Sequence, residues 1–286
     1  MPCCFDGLSA RLISQHPASF NVTFMTGFGV AASLGYPDAG ILSSTDNLQQ
    51  AHAISSSLQN SLPSPLPCIA DGDTGYGGPS SIRRTILNYG RAGMAGVMIE
   101  DQVSPKRCGH VDGKDVVDRD EAINRVRAAC RARDEYESSY GTPGPLILAR
   151  TDARGAERYG DKEGWEEAVE RCKGFRKVGA DITFMEAPRD VEEMRKYCRE
   201  VEGPKLANML EGGKTPILTR EELEDMGFSL AAYPLTLVSA AMKAMDSVLS
   251  KIAKGEDCAD SILEFKDVKD KVGFGDVKEL DDVYRL

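Results

Sequence analysis

The sequence predicts a (β/α)8 barrel of the TIM type followed by additional C-terminal helices. Short β-branched or apolar runs alternate with amphipathic helical patterns about eight times along the chain. The runs are apolar from end to end, as in a parallel sheet covered by helices on both faces rather than a half-exposed antiparallel one. The length of 286 residues is also usual for a single barrel. A doubly wound open sheet is the competing architecture, but its GxGxxG marker after the first strand is missing.

The opening MPCCF reads as a clipped first strand, and VTFM at 22–25 as the second. Strands follow at 68–70, 96–99, 146–149, 182–185, 206–209 and 230–233. Between them, apolar residues recur at helical spacing over 80–92, 119–133, 164–178, 191–200 and 219–226. After Leu235 the pattern changes to a helix over 238–252, a polar break at 255–257, and a further helical segment ending in DDVYRL. We therefore divide the chain into a barrel over 1–245 and a helical extension over 246–286, which covers the barrel's base or a neighbouring subunit.

Composition narrows the function. A hydrophobic fraction of 41% and a charged fraction of 28% are those of a globular protein. The net charge of −10 disfavours nucleic acid as a partner, because phosphate binding needs a basic face. No apolar run approaches the roughly 20 residues that span a bilayer, so no membrane partner is expected. The eight cysteines show no CxxC spacing and read as free thiols, most of them buried.

Polar residues cluster where the strands end: Thr26, Asp71 and Asp73, Glu100, Arg150 and Asp152, Glu186, Asn208. The C-terminal rim of a barrel is where catalytic groups sit, so these side chains should converge on one mouth. Asp71, Asp73 and Glu100 suit Mg²⁺, a hard ion that takes few direct carboxylates and keeps several waters. Helix capping is the alternative reading for a lone acid such as Asp73, but it fits all three together poorly. The glycine-rich DGDTGYGGP at 71–79 lacks the Lys-Ser/Thr ending of a phosphate-binding loop. Its glycines instead allow a sharp turn and a close approach of backbone to substrate.

The loop Lys106-Arg107-Cys108-Gly109-His110 carries a thiol among cationic neighbours, a setting expected to lower its pKa. A stray thiol on a surface turn is the bland alternative for a lone Cys. It loses weight beside Lys106, Arg107 and His110. His16 and His52 have no acidic or Cys neighbours and carry no expected role.

The strings EDQVSPKRCGH, DGDTGYGG, ARTDA at 149–153, EAP at 186–188 and NMLEGGKTP from Asn208 resemble the isocitrate lyase and phosphoenolpyruvate mutase superfamily. The resemblance runs from Met1 to about Asp246 and is nearest to the 2-methylisocitrate and dialkylmalate lyases. It implies a barrel with Mg²⁺ or Mn²⁺ at its C-terminal rim, in a homotetramer of two dimers that exchange their last barrel helix. It implies Asp71 as the direct metal ligand, with Asp38 of LGYPDAG, Asp73 and Glu100 reaching the ion mainly through water. Thr26, Gly27 and Phe28 would bind the substrate's α-carboxylate through backbone N–H groups. Cys108 would be the acid/base thiol of a catalytic set that includes Lys106, His110, Arg150 and Glu186. Gly109, His110, Arg150, Glu186 and Asn208 would hold the second carboxylate and the developing charge, with Pro234 and Leu235 also against the substrate.

The expected reaction is Mg²⁺-dependent cleavage of a carbon–carbon bond in a 2-hydroxy di- or tricarboxylate. It releases a 2-oxo acid and, through an enediolate, a carboxylic acid. Carbon–phosphorus chemistry is disfavoured, because the mutase branches lack this Cys motif. Oxaloacetate hydrolysis is the alternative enzyme, disfavoured because the hydrolases' serine is missing around residues 233–236. A non-catalytic dicarboxylate-binding barrel is the alternative from another class, and such a barrel has no need of the thiol. Relatives carry a helix ahead of the first strand, whereas Met1 here stands almost on it, so that helix is expected to be missing. As given, the chain reads as cytoplasmic, with an organelle address open if a targeting segment is missing. Phe28 replaces a smaller residue of some lyases and narrows the pocket.

Overall fold

In a computed structural model the residues described are 1–18, 20–59, 65–111 and 113–285. Eight parallel strands form the barrel: β1 (Cys3–Cys4), β2 (Thr23–Met25), β3 (Cys68–Asp71), β4 (Gly96–Glu100), β5 (Leu146–Thr151), β6 (Ile182–Met185), β7 (Leu206–Asn208) and β8 (Leu230–Ala232). Strands β1 to β6 pair in sequence order, and β7 pairs with β8. Single parallel bridges, Thr183 with Lys205 and Pro2 with Tyr233, complete the circle. At the second seam the Met1 ammonium donates to the Ala231 carbonyl at 2.8 Å. The opening residues are therefore the first barrel strand.

The two-residue alternation of strands sorts the core into two shells. Cys3, Phe24, Ile69, Met98, Leu148, Phe184, Leu206 and Ala232 pack together as the barrel's filling. Their neighbours Cys4, Met25, Ala70, Val97, Ile99, Ile147 and Ala149 pack outward with helical residues such as Ile54, Ile86 and Phe175. Both faces are apolar, which is why these strands read as continuous runs.

The helices are α1 (Gly7–Ser14), α2 (Gly27–Ser33), α3 (Ser44–Gln59), α4 (Pro79–Arg91), α5 (Arg119–Tyr140), α6 (Asp161–Lys177), α7 (Val191–Glu200), α8 (Arg220–Met226), α9 (Thr236–Lys254), α10 (Phe265–Val272) and α11 (Phe274–Tyr284). The first three have no counterpart in the sequence reading. Helix α3 buries Asn47, Ala51, Ile54, Ser55 and Leu58, a proper helical stripe made partly of small polar residues that hydropathy passes over. Helix α5 extends seven residues past the expected 133, through the polar DEYESSY, to end at Gly141 in the left-handed region (φ 66°).

Helix α9 runs through residue 245 without a break, and Val238 is its one buried residue. Met242, Met245, Leu249 and Ile252 lie along it at helical spacing and are exposed. Helices α10 and α11 lie against α1, where the Arg11 guanidinium donates to the Lys271 carbonyl (2.8 Å) and pairs with Asp276 (3.0 Å). Among the described residues no helix is long and apolar enough to cross a membrane.

Candidate active site

The alternation that fills the barrel also builds its mouth. Two residues beyond each inward apolar side chain, the next inward position is polar: Phe24 leads to Thr26, Ile69 to Asp71, Met98 to Glu100, Leu148 to Arg150, Phe184 to Glu186 and Leu206 to Asn208. A cavity of about 630 Å³, counting its open mouth, lies over these residues and is floored by Phe24, Met98, Phe184 and Leu206. Of the residues expected at the site, all line this cavity except Gly27, Asp73 and Glu100, which stand just behind it.

Those three are nonetheless in contact with the lining. The Gly27 amide donates to Asp71 Oδ2 at 3.2 Å, so in this structure it serves the carboxylate expected to hold metal. A Cβ at Gly27 would lie 2.5 Å from that oxygen. The Asp73 amide donates to Asp71 Oδ1 at 2.9 Å, and Asp73 holds φ at 47°, a left-handed conformation costly for a non-glycine residue. Glu100 Oε2 lies 3.3 Å from Arg150 Nε, and its Oε1 is buried without a hydrogen-bond partner.

Buried acids in this number repel one another. Burial, then the Asp73 charge, pushes the Asp71 carboxyl up to about 6. Burial likewise drives Glu100 well above the usual carboxylate range, against the pull of Arg150. Lys106 Nζ pairs with Asp38 and lies 2.8 Å from Asp73 Oδ1, although that second contact lacks hydrogen-bond geometry. Among the described residues no three His, Cys, Asp or Glu side chains form a ready cage for an ion. The donors still fit a hard divalent cation that keeps its waters: all are carboxylate oxygens, two of them (Asp73 Oδ1 and Glu100 Oε1) lack a hydrogen-bond partner, and their charge is under-compensated.

Arg150 is the hub of the other half. Its Nε and Nη2 fork onto Asp152 at 2.8 and 3.1 Å, Nη2 also reaches Glu186 Oε2 at 3.0 Å, and the guanidinium covers the Phe184 ring. Glu186 is held down at about 2, because Arg150 and the His110 hydrogen bond outweigh its burial. His110 Nδ1 accepts from the Lys214 amide at 3.0 Å, which assigns the proton of the neutral ring to Nε2. That Nε2 lies 3.0 Å from Glu186 Oε1 and 3.2 Å from Asn208 Nδ2.

The Cys108 thiol differs from expectation. Burial raises its pKa, and the His110 amide only partly offsets this. Its cationic neighbours in sequence are not neighbours in space: Lys106 turns to Asp38 and Asp73, and the Arg107 guanidinium lies against Gly113. The loop is fixed instead by Gln102, whose side-chain amide exchanges two 2.8 Å hydrogen bonds with the Arg107 backbone. Cys3, Cys4, Cys68, Cys130 and Cys172 are buried free thiols, as the cysteine spacing implied.

Sequence reading passed over several polar groups behind the lining. Asp101 Oδ1 accepts the Asp152 amide at 2.9 Å, and its Oδ2 accepts from Thr151 (2.6 Å) and from the buried Arg171 (3.0 Å). Lys114, also buried, donates to Asp152 and to the Gly109 carbonyl. Asp101 follows Glu100 directly and could have been read as a second strand-end acid. Nothing in the local sequence marks Arg171 or Lys114, whose partners are distant in the chain.

Residues 1–253 match the family described as phosphoenolpyruvate phosphomutase. The chain is 35% identical to 2,3-dimethylmalate lyase of Eubacterium barkeri, over 99% of its own length and 92% of the relative's. The crystal structure of a 2,3-dimethylmalate lyase superposes with a TM-score of 0.88, covering 99% of this chain and 89% of that one at 35% identity. A probable 2-methylisocitrate lyase of Corynebacterium glutamicum is 39% identical over 88% of this chain and 76% of its own. An oxaloacetate acetylhydrolase bound to 3,3-difluorooxalacetate reaches a TM-score of 0.88 at 34% identity, covering 98% and 90% of the two chains. With its sequence matched almost throughout and its barrel superposed on theirs, the chain belongs to the phosphoenolpyruvate mutase/isocitrate lyase superfamily of enzymes.

Proposed function

We propose that the chain is a Mg²⁺- or Mn²⁺-dependent carbon–carbon lyase that splits an alkyl-substituted 2-hydroxy carboxylate into a 2-oxo acid and a second carboxylic acid. One observation carries this reading. One cavity is lined by Asp38 and Asp71 of an under-compensated carboxylate cluster, by a largely buried guanidinium, and by a thiol that burial keeps protonated. A divalent ion held by Asp71, with Asp38, Asp73 and Glu100 around it, would lower the pKa of a bound hydroxyl.

The chain's own residues account for the rest. As the carbon–carbon bond breaks, its electron pair stays with the departing carboxylic acid fragment. That fragment needs donors placed in advance, a role suited to Arg150, to His110 Nε2–H and to Asn208 Nδ2–H, all three of which converge on Glu186. Cys108 gives its proton to the carbon left with the pair, completing the carboxylic acid product. A thiol with a raised pKa suits a donor, since it holds its proton at neutral pH. The hydroxyl proton is released to solvent and the Cys108 thiolate takes one back, so the 2-oxo acid and the carboxylic acid form with no net gain or loss of a proton.

Phe28, Leu210, Pro234 and Leu235 complete the lining. Their apolar surface favours alkyl groups on the substrate and supports a dialkylmalate before a tricarboxylate. Oxaloacetate hydrolysis is the second reading, favoured by the likeness to the acetylhydrolase. Against it, neither hydroxyl of this stretch, on Tyr233 or Thr236, lines the cavity, and Thr236 donates to Glu211 at 2.7 Å. The exposed apolar stripe of α9 supports exchange of this helix in a homotetramer, with α10 and α11 carrying further exposed apolar residues. Light scattering that finds a monomer at micromolar concentration would remove that part.

The deciding assay incubates the protein with Mg²⁺ and 2,3-dimethylmalate, 2-methylisocitrate, isocitrate or oxaloacetate, coupled to 2-oxo acid detection and to oxalate detection. A 2-oxo acid from an alkyl-substituted substrate is expected. Replacing Cys108 by Ser should then cut kcat by about 100-fold or more, the usual worth of a general acid, while metal affinity holds. Silence on every hydroxy acid, or oxalate from oxaloacetate alone, overturns the reading.

A further inference from the structure

We propose that Lys114 is a positioning residue of this enzyme, the buried cation that fixes the Cys108-Gly109-His110 segment against the Arg150 fork. This rests on the reading of Cys108 as the proton donor. Lys114 is 1% exposed and does not line the cavity, so it cannot touch a substrate held there. Its Nζ donates to the Gly109 carbonyl at 2.6 Å and to Asp152 Oδ1 at 2.7 Å.

Asp152 is the same carboxylate on which Arg150 forks. One acid therefore anchors both halves of the site: the arginine directly, and the thiol-bearing loop through the Lys114 ammonium. Gly109 rests so close to Arg150 and Glu186 that no Cβ fits between them, the contact a pinned carbonyl would maintain. The Lys114 stem has its own slot, since a Cβ on Gly155 would lie 3.1 Å from Lys114 Cε. The Glu157 amide donates to the Lys114 carbonyl at 3.0 Å and ties down its backbone.

Desolvating an ammonium is costly, and an apolar side chain of similar volume would fill the space at lower cost. What the charge adds here is direction. It joins a loop carbonyl to a strand-end carboxylate, across a gap that apolar packing could fill but not orient. Without it, Asp152 keeps Arg150 but the Gly109 carbonyl loses its tie; the segment is left held at its ends, at Arg107 by Gln102 and at His110 by Glu186 and the Lys214 amide, and Cys108 between them can drift from the fork while the barrel stays intact.

The test compares wild type, K114M and K114R by two readouts: kcat and KM, and peptide-mapped alkylation of Cys108 by iodoacetamide. K114M should lose about 100-fold in kcat, the scale of an ångström-sized misplacement, with KM changed far less. Its Cys108 should alkylate on the order of tenfold faster, as expected when a charge-assisted hydrogen bond no longer holds a segment closed. K114R, whose guanidinium can meet both oxygens, should recover most of both.

A folded K114M with wild-type kcat, or with Cys108 alkylating at the wild-type rate, overturns the proposal. A lysine that merely stabilises the fold would lower Tm and leave both readouts unmoved. If K114M does not fold, D152N takes its place: faster alkylation is expected, and an unchanged rate overturns the proposal. Alkylation needs no substrate, so it judges Lys114 even if no compound in the panel is turned over.

Discussion

Adding one methyl group at Gly109 tests the site's geometry most directly. The residue is buried, and a Cβ there would lie 2.7 Å from Glu186 Cγ and closer still to the Arg150 guanidinium. Carbon atoms in contact prefer about 3.5–4.0 Å, so either the loop or the fork must retreat by roughly 1 Å. Gly109 does not occupy the left-handed region, so the backbone accepts alanine and the conflict is one of space alone. Arg150 is tied to Asp152 and Glu100, and Glu186 to Arg150 and Asn208, all outside the loop, which leaves the loop as the part that yields. A displacement of that size costs about 100-fold in rate, or about 2.7 kcal/mol in barrier height. Overpacking should cost less than about 3 kcal/mol of stability, since the loop can move outward. The assay is kcat on whichever substrate the panel identifies, alongside the Tm of the same preparation. G109A turning over within about threefold of wild type would refute the argument, because Gly109 could not then be pressed on the fork in the working enzyme.

Two further outcomes follow from the electrostatics. The Asp71 carboxyl, pushed up to about 6, must release its proton to bind a divalent ion. Calorimetric Mn²⁺ affinity should therefore hold from pH 8 to about 6 and then weaken roughly tenfold per pH unit, with proton release; affinity that is flat down to pH 5 would contradict it. Glu186 is depressed from its ordinary 4.5 to about 2, chiefly by Arg150 against its burial, so its contribution is fully present above 4.5 and is lost as pH falls through 2. E186Q should cost about 3 kcal/mol in denaturant unfolding at pH 7 and less than half of that at pH 3. An equal loss at both values would mean that the carboxylate's charge is not what Arg150 holds.

The alternation of the strands was readable before any coordinates. Inward positions are apolar within each strand and polar at its end, so Thr26, Asp71, Glu100, Arg150, Glu186 and Asn208 could be picked from spacing alone. The chain's opening residues were likewise legible as the first strand, because they form one more short apolar run in an alternation that repeats about eight times. Hydropathy was a poorer guide to α3 and to the end of α5, where helices are held by small buried polar residues and a left-handed glycine.

Charge was the part that sequence order misjudged. Lys106 and Arg107 adjoin Cys108 in the chain, yet their side chains leave it, and burial sets the thiol's proton affinity instead. Periodicity along the chain determined which strand residues reach the barrel's mouth, because a strand's pleat leaves no other choice. Which of them face one another, and which charges are compensated, was decided by the closed barrel, because desolvation and pairing depend on distances through space. Lys114, Asp152 and Gly109 meet within hydrogen-bonding distance although 38 residues separate the first two, and no pattern along the sequence encodes that meeting.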